Sequence, residues 1–132
     1  MALRRRGPGC VPLPAPAATD ESAAASGAEL WGSAAWNYLH LAAAHCDEAA
    51  TFRDLLSCVV RCLPCPRCRS HAEDFLRSHS LLVVTDRASA EDYVFGLHNH
   101  INALVGKAAS GPEVLQRYRH ANLPKIRSCC GV

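Results

Sequence analysis

The segment Pro64-Cys65-Pro66-Arg67-Cys68 is the feature that most restricts how this chain can fold. Pro64 cannot continue a helix, whereas Pro66 suits the first position of one, so the segment predicts that one helix ends and another begins at these cysteines. Unpaired N–H groups and the positive end of the helix dipole favour the thiolate form of a cysteine at a helix N-terminus. Because the thiolate is the form that takes part in disulfide exchange, the segment indicates a redox-active dithiol.

Apolar spacing, together with prolines and capping residues, predicts an all-α protein, a four-helix bundle followed by a short fifth helix. The first helix spans residues 29–45, and the second has Asp47 as its N-cap and stops before Pro64. The third begins at the dithiol, and residues 81–85 are interpreted as a connector rather than a strand. Ser89 and Asp92 predict a capping box for the fourth helix, which ends at Gly106. The fifth runs from Pro112 to about residue 120.

The composition divides the 132 residues into three segments. Residues 1–28 are rich in Pro, Ala, Gly and Ser and contain almost no large apolar side chains, so we expect them to be disordered. Residues 29–120 are expected to form one domain, since a chain of this length buries a single core. Residues 121–132 are expected to form a flexible tail, which carries Cys129 and Cys130.

Charge and hydropathy argue against several classes of protein. The formal net charge is only +2, and apart from residues 4–6 (RRR) the charges of both signs are interspersed, so nucleic-acid binding is not expected. No apolar run is long enough for a membrane span, and none follows the arginines as a secretory signal requires. An arginine-rich and alanine-rich start also occurs in mitochondrial presequences, but the four prolines at 8, 12, 14 and 16 would break an amphipathic helix.

Eight cysteines are many for this length, and their positions leave two chemical interpretations open. Four lie within residues 58–68, which is poor geometry for cross-linking distant elements, so thiol chemistry or metal binding competes for them. The alternative to a redox dithiol is a zinc-binding helical module without enzymatic activity. Its candidate ligands are Cys58, Cys62, Cys65, Cys68 and His71, with Cys62 and Cys65 forming a second, overlapping CxxC. Against zinc, such ligands usually come from two knuckles well separated in the chain.

Two predicted helices each carry a pair of ring or amide side chains one turn apart. Trp36 and His40 share a face of the first helix, and His98 and Asn102 share a face of the fourth. An indole, two imidazoles and a carboxamide suit a planar ligand that forms hydrogen bonds. Lys107, just beyond the fourth helix, is placed to meet a phosphate.

Three blocks of this sequence closely resemble the Erv/ALR family of FAD-linked sulfhydryl oxidases. They are residues 31–40 (WGSAAWNYLH), 63–68 (LPCPRC) and 98–107 (HNHINALVGK), and the resemblance extends from about residue 30 to about 120. The form of the dithiol block in a short chain is most similar to the versions carried by large DNA viruses. The resemblance implies a four-helix bundle with a short fifth helix that holds FAD non-covalently in the mouth of the bundle.

The resemblance also implies roles for individual residues. Cys65 and Cys68 correspond to the redox-active pair, with Cys65 attacked by substrate and Cys68 next to the flavin. The implied flavin contacts are Gly32, Trp36, His40, His98, Asn99, Asn102, Val105, Lys107 and Tyr118. Cys129 and Cys130 stand where relatives carry shuttle cysteines on a flexible tail, and Cys10 is an alternative. On this basis we expect disulfide formation in protein dithiols, with electrons passing through FAD to dioxygen and giving hydrogen peroxide.

The resemblance implies partners, and it also shows departures from the family pattern. The implied substrates are thioredoxin-like or virion structural proteins, the implied assembly is a homodimer, and the implied location is the host cytoplasm or virion, or alternatively the mitochondrial intermembrane space.

Phe95 stands where the family often has a structural cysteine, and no cysteine follows Lys107 until Cys129, so a long-range disulfide staple is expected to be missing. The resemblance assigns no role to Cys46, Cys58 or Cys62.

Overall fold

The computed structural model describes residues 27–123, with side chains described from Leu30 onward. Its helices are α1 (Gly27–His45), α2 (Ala49–Arg61), α3 (Pro66–Ser78), α4 (Arg87–Leu104) and the short α5 (Glu113–Arg119). Within this range there is no strand, which confirms the all-α prediction. None of these helices combines the length and apolarity that crossing a membrane requires. Most of the predicted N-terminal segment and most of the predicted tail, including Cys129 and Cys130, lie outside the described residues.

The four longer helices share one apolar core. Phe52 and Leu56 from α2 and Leu97 from α4 are almost completely buried, and Phe75 from α3 packs against them. Burying a side chain of this size contributes about 1.5–3 kcal/mol to the free energy of folding. Since α1 and α4 both contribute to this core, it fixes the crossing that brings their polar faces together.

The beginnings of α2 and α4 differ from the prediction. The N-cap of α2 is Glu48 rather than Asp47, because Asp47 lies one position too early and its carboxylate instead lies 3.5 Å from Nη2 of Arg87. The predicted capping box of Ser89 with Asp92 is also wrong. Asp86 is the N-cap of α4: its carboxylate accepts the N–H of Ser89 at 2.8 Å, and Oγ of Ser89 accepts the N–H of Asp86 at 3.0 Å.

The connector and the end of α4 form as predicted. Residues Leu81–Val83 make a single 3₁₀ turn rather than a strand. Gly106 has a φ of +72°, in the left-handed region that favours glycine. The N–H of Lys107 then donates to the carbonyl of Asn102 at 2.8 Å, as in a Schellman motif, and this turn sets where Lys107 leaves the helix.

Polar contacts attach α5 to α1 and α4. Nε2 of His45 lies 2.9 Å from the carbonyl oxygen of Tyr118, and the Tyr118 hydroxyl donates to Oδ1 of Asn37 at 2.6 Å. Nε of Arg119 donates at 2.6 Å to Glu91, which is 5% exposed. Among the described residues Cys65–Cys68 is the only disulfide, so these contacts, not a staple at position 95, hold α5.

Candidate active site

The two cysteines of the dithiol lie at the start of α3, as the sequence predicts. Pro66 is the first residue of the helix and Cys65 is its N-cap. Cys65 and Cys68 form a disulfide with their Cα atoms 5.2 Å apart, and Sγ of Cys65 accepts the N–H of Cys68 at 3.2 Å. A backbone N–H directed at this sulfur stabilises a thiolate when the disulfide opens. The position therefore suits reversible thiol chemistry.

An arginine of α3 holds the turn that precedes the dithiol. Nε and Nη2 of Arg69 donate to the carbonyl oxygen of Leu63 at 3.2 and 2.8 Å. Two hydrogen bonds from one planar guanidinium to one acceptor fix the direction of that carbonyl. The junction between α2 and α3 is thus tied to the helix that begins with the disulfide.

A cavity of about 730 Å³ lies next to the disulfide. This volume is within the range of roughly 300–1,000 Å³ that is typical of small-molecule and cofactor sites. All five helices contribute to its wall. Of the predicted site residues it is lined by Gly32, Trp36, Cys68, His98, Asn102, Lys107 and Tyr118.

The faces predicted on α1 and α4 meet in a group of stacked rings. The Trp36 indole lies parallel to the His98 imidazole, with ring centres 4.0 Å apart and planes inclined by 7°. The Tyr118 ring lies on His40 at 4.7 Å and 8°. Nε2 of His40 and Nδ1 of His98 are 2.9 Å apart and share a hydrogen bond. The two helices therefore present a rigid aromatic wall to the cavity.

Four of the predicted site residues do not line the cavity. His40 is 2% exposed and lies behind His98. Asn99 instead binds the backbone of Ser110, donating to its carbonyl at 3.2 Å and accepting its N–H at 2.8 Å. Val105 is the C-cap of α4 and is 53% exposed. Cys65 lies outside the wall that includes Cys68, so the two sulfurs face different surroundings.

The ionisable groups leave the cavity with positive charge at its edge. Burial lowers the pKa of His40 to about 4, and the charges of His98 and Arg117 act in the same direction. Burial also lowers the pKa of His98, as does the neighbouring charge of Lys107. Both imidazoles are therefore neutral near pH 7. Lys107 and Arg117 both line the cavity and carry the charge there, which suits an anionic ligand such as a diphosphate.

Some residues of the site are absent from the sequence-based prediction. Arg117 lines the cavity, and its guanidinium carbon lies 5.1 Å from the centre of the Tyr118 ring. Its position in the sequence, next to the predicted flavin contact Tyr118, could have identified it. Asn37 accepts the Tyr118 hydroxyl, and His45 binds the Tyr118 backbone. These two contacts join residues far apart in the chain, and nothing in the sequence indicates them.

The geometry does not favour the zinc interpretation. Cys65 and Cys68 are bonded to each other, while Cys58 and Cys62 are exposed on α2 and at its end. Among the residues that the structure describes, no group of three or more His, Cys, Asp or Glu side chains is close enough to hold a metal ion. Nor are ligands gathered from separate parts of the chain, as structural zinc sites usually require.

Comparisons with known proteins agree with this geometry. Residues 33–119, more than half of the chain, match the model of the Erv1 / Alr family. A protein of Invertebrate iridescent virus 3 that carries the name of an FAD-linked sulfhydryl oxidase is 33% identical over 99 residues, covering 69% of this chain and 67% of the viral protein. FAD-linked sulfhydryl oxidases of two African swine fever virus isolates, Warthog and Pig/Kenya, are 28% and 26% identical over 83 residues, covering 58% of this chain and 69% of theirs.

Proposed function

Since this chain belongs to the Erv1 / Alr family, we propose that it is an FAD-linked sulfhydryl oxidase that forms disulfides in protein dithiols. The observation that carries the proposal is the Cys65–Cys68 disulfide at a helix N-terminus, with Cys68 on the wall of the cavity formed by the stacked rings. Relatives named as FAD-linked sulfhydryl oxidases support the same activity.

The two cysteines divide the thiol chemistry. A substrate thiolate attacks Sγ of Cys65, which lies outside the cavity wall, forms a mixed disulfide and expels Cys68 as a thiolate. A second substrate thiolate attacks the substrate sulfur of that mixed disulfide and releases Cys65. The substrate then holds a new disulfide, and the two electrons reside on Cys65 and Cys68. The N–H of Cys68, 3.2 Å from Sγ of Cys65, stabilises Cys65 as it leaves.

The residues of the cavity fit FAD. Trp36 and His98 provide an aromatic wall, Lys107 and Arg117 provide positive charge for the diphosphate, and Asn102 provides a buried carboxamide. We propose that the cofactor is held by the predicted contacts that line the cavity, with His40, Asn99 and Val105 supporting them from behind or from the end of α4. When bound, FAD supplies the two-electron acceptor for the dithiol and the reaction with dioxygen.

The proposal also covers the substrates, the electron acceptor, the assembly and the location of the protein. The substrates are thioredoxin-like or virion structural proteins, dioxygen is the acceptor, and the active protein is a homodimer located in the cytoplasm of an infected cell or in the virion. Residues 29–120 form the catalytic domain, and Cys129 or Cys130 in the segment that follows passes electrons to Cys65 from folded substrates. A thiol on a segment joined to the domain is present at high effective concentration without a fixed docking geometry.

One preparation tests the activity and the roles of both cysteines. We expect the purified protein to be yellow, and to consume dioxygen and form hydrogen peroxide when dithiothreitol is added. Cys65→Ser and Cys68→Ser should each abolish turnover while FAD and helical circular dichroism are retained, and Cys65→Ser should show a long-wavelength charge-transfer band from the remaining Cys68 thiolate. Cys46→Ser is the matched control, because burial raises the pKa of this thiol and it lies away from the disulfide.

Two results would contradict the proposal. Turnover retained in Cys65→Ser or Cys68→Ser would remove the dithiol from the mechanism, and a colourless preparation that contains zinc would favour the zinc-binding alternative. A charge-transfer band in Cys68→Ser rather than in Cys65→Ser would exchange the roles of the two cysteines.

A further inference from the structure

A third cysteine, Cys62, lies three positions before the disulfide in the chain, and the proposed function leaves it without a role. Cys62 is exposed and unpaired, whereas Cys65 and Cys68 are both half-buried. With Cys65 it forms a second CxxC, Cys62-Leu63-Pro64-Cys65, which overlaps the first. Of the three residues, Cys62 is therefore the most open to an incoming protein.

The backbone around Cys62 is fixed. Cys62 is the C-cap of α2, and its N–H donates to the carbonyls of Cys58 and Val59 at 3.0 and 3.1 Å. The next residue, Leu63, is held through its carbonyl by the two hydrogen bonds from Arg69 of α3. Both ends of the short link to Cys65 are thus attached to helices. Because only two residues separate Cys62 from Cys65, the link itself presents one thiol to the other at high effective concentration.

The position of Cys62 at the C-cap of α2 distinguishes it from Cys58, the other exposed cysteine of this region. Cys58, one turn earlier on α2, is also exposed, but its sulfur accepts from Nη2 of Arg61 at 3.6 Å and it stands on the helix rather than on the turn that leads to Cys65.

We propose that Cys62 is a third redox cysteine, through which the thiols of protein substrates, or of Cys129 and Cys130 where these carry the electrons, reach the Cys65–Cys68 pair; this inference rests on the proposed thiol-oxidase function. The Cys62 thiolate attacks Sγ of Cys65, so the Cys65–Cys68 bond breaks, a Cys62–Cys65 bond forms, and Cys68 leaves as a thiolate that takes up the proton lost by Cys62. One disulfide replaces another, and nothing is oxidised or reduced in this step.

Substrate oxidation then takes place at the exposed sulfur. A substrate thiolate attacks Sγ of Cys62 and expels Cys65, whose sulfur is stabilised by the N–H of Cys68 at the start of α3. A second substrate thiolate attacks the substrate sulfur of the mixed disulfide and releases Cys62 as a thiol. The substrate has lost two electrons, and Cys65 and Cys68 are both reduced, which is the same state that direct attack produces.

Disulfide mapping tests the exchange without reference to activity. The air-oxidised, FAD-loaded full-length protein is quenched in acid, its free thiols are alkylated, and its peptides are identified by mass spectrometry without reduction. We expect two isomers: one with Cys65–Cys68 bonded and Cys62 alkylated, and one with Cys62–Cys65 bonded and Cys68 alkylated. In Cys58→Ser both isomers should persist. If Cys62 is alkylated completely in every sample, the inference is wrong.

Kinetics test whether substrates use this cysteine. For reduced thioredoxin as the probe, kcat/KM of Cys62→Ser should fall by about tenfold or more, because the protein thiol must now reach the half-buried Cys65. Dithiothreitol is small enough to reach Cys65 directly, so its oxidation should stay within about twofold of wild type. Cys58→Ser is the matched control, an exposed cysteine on the same helix, and should behave as wild type with both reductants.

The outcomes separate this inference from the proposed function. Equal thioredoxin rates for wild type and Cys62→Ser would contradict only the role of Cys62. Failure of the wild-type protein to oxidise either reductant would contradict the thiol-oxidase function itself. Flavin absorbance and helical circular dichroism equal to wild type show that Cys62→Ser has not altered the fold or the cofactor site.

Discussion

The hydrogen bond between His40 and His98 predicts how the stability of this protein depends on pH. Nε2 of His40 and Nδ1 of His98 are 2.9 Å apart, so one nitrogen donates and the other accepts. Protonating both rings would place two donors against each other, and His40 has little access to water because it is 2% exposed. Burial lowers the pKa of His40 to about 4, and the nearby charges of His98 and Arg117 act in the same direction.

The size and direction of the effect follow from the two titrations. A histidine titrates near pH 6.5 in the unfolded chain, whereas the pKa of His40 in the folded protein is about 4. The unfolded chain therefore binds the proton more readily, and the free energy of unfolding falls as the pH is lowered from 6.5 towards 4. At about 1.4 kcal/mol for each unit of pH in this window, His40 alone lowers the stability by about 2 kcal/mol between pH 7 and pH 5.

Urea unfolding followed by helical circular dichroism measures this contribution. Wild type, His40→Gln and His120→Gln are unfolded at pH 7 and pH 5 with the same excess of FAD in every sample. The loss of stability between the two pH values should be smaller by about 2 kcal/mol in His40→Gln than in wild type, whereas the exposed control His120→Gln should match wild type. The same pH dependence in all three proteins would refute the argument.

Three further predictions concern the cofactor and the end of the chain. Trp36→Ala and His98→Ala should lose FAD. With the cofactor they should lose roughly 3–4 kcal/mol of stability, because a ligand present at a hundred to a thousand times its dissociation constant stabilises the folded state by that amount. A wild-type melting temperature that does not change when FAD is removed would contradict this prediction. Asn99→Ala removes both hydrogen bonds to Ser110, so it should lower the free energy of unfolding by about 2 kcal/mol and weaken FAD retention. Asn99→Asp keeps the acceptor for the N–H of Ser110, so urea unfolding should show about half that loss. Truncation after His120 should leave dithiothreitol oxidation unchanged and slow the oxidation of a protein dithiol. If truncation leaves both rates as they are in the full-length protein, the last residues have no role in electron transfer.

The attachment of α5 shows how polar contacts can replace a covalent staple. Three contacts join α5 to α1 and α4: His45 to the Tyr118 carbonyl, Tyr118 to Asn37, and Arg119 to the buried Glu91. A hydrogen bond contributes about 1 kcal/mol, and more where one partner is charged. Their sum is comparable to a typical disulfide, about 2–4 kcal/mol. Unlike a disulfide, these contacts survive in a reducing solution.

The sequence by itself determined the features that depend on a few neighbouring residues. Pro66 after Cys65 predicted the start of α3, and Gly106 predicted the end of α4, because each residue restricts its own backbone. Apolar spacing predicted α1, α2 and α4, and Pro112 predicted the short α5. The N-caps were wrong at α2 and α4, since several Asp, Glu and Ser residues lie within one turn and local sequence does not choose among them.

Only the tertiary structure decided which side chains share the site and in what role. The spacing placed Trp36 and His40 on one helix face and His98 on another, but the crossing of α1 and α4 stacked Trp36 on His98 and buried His40 behind them. The same packing turned Asn99 to the backbone of Ser110. These contacts join residues far apart in the chain, and their geometry depends on how whole helices fit together around the core, which no local pattern encodes.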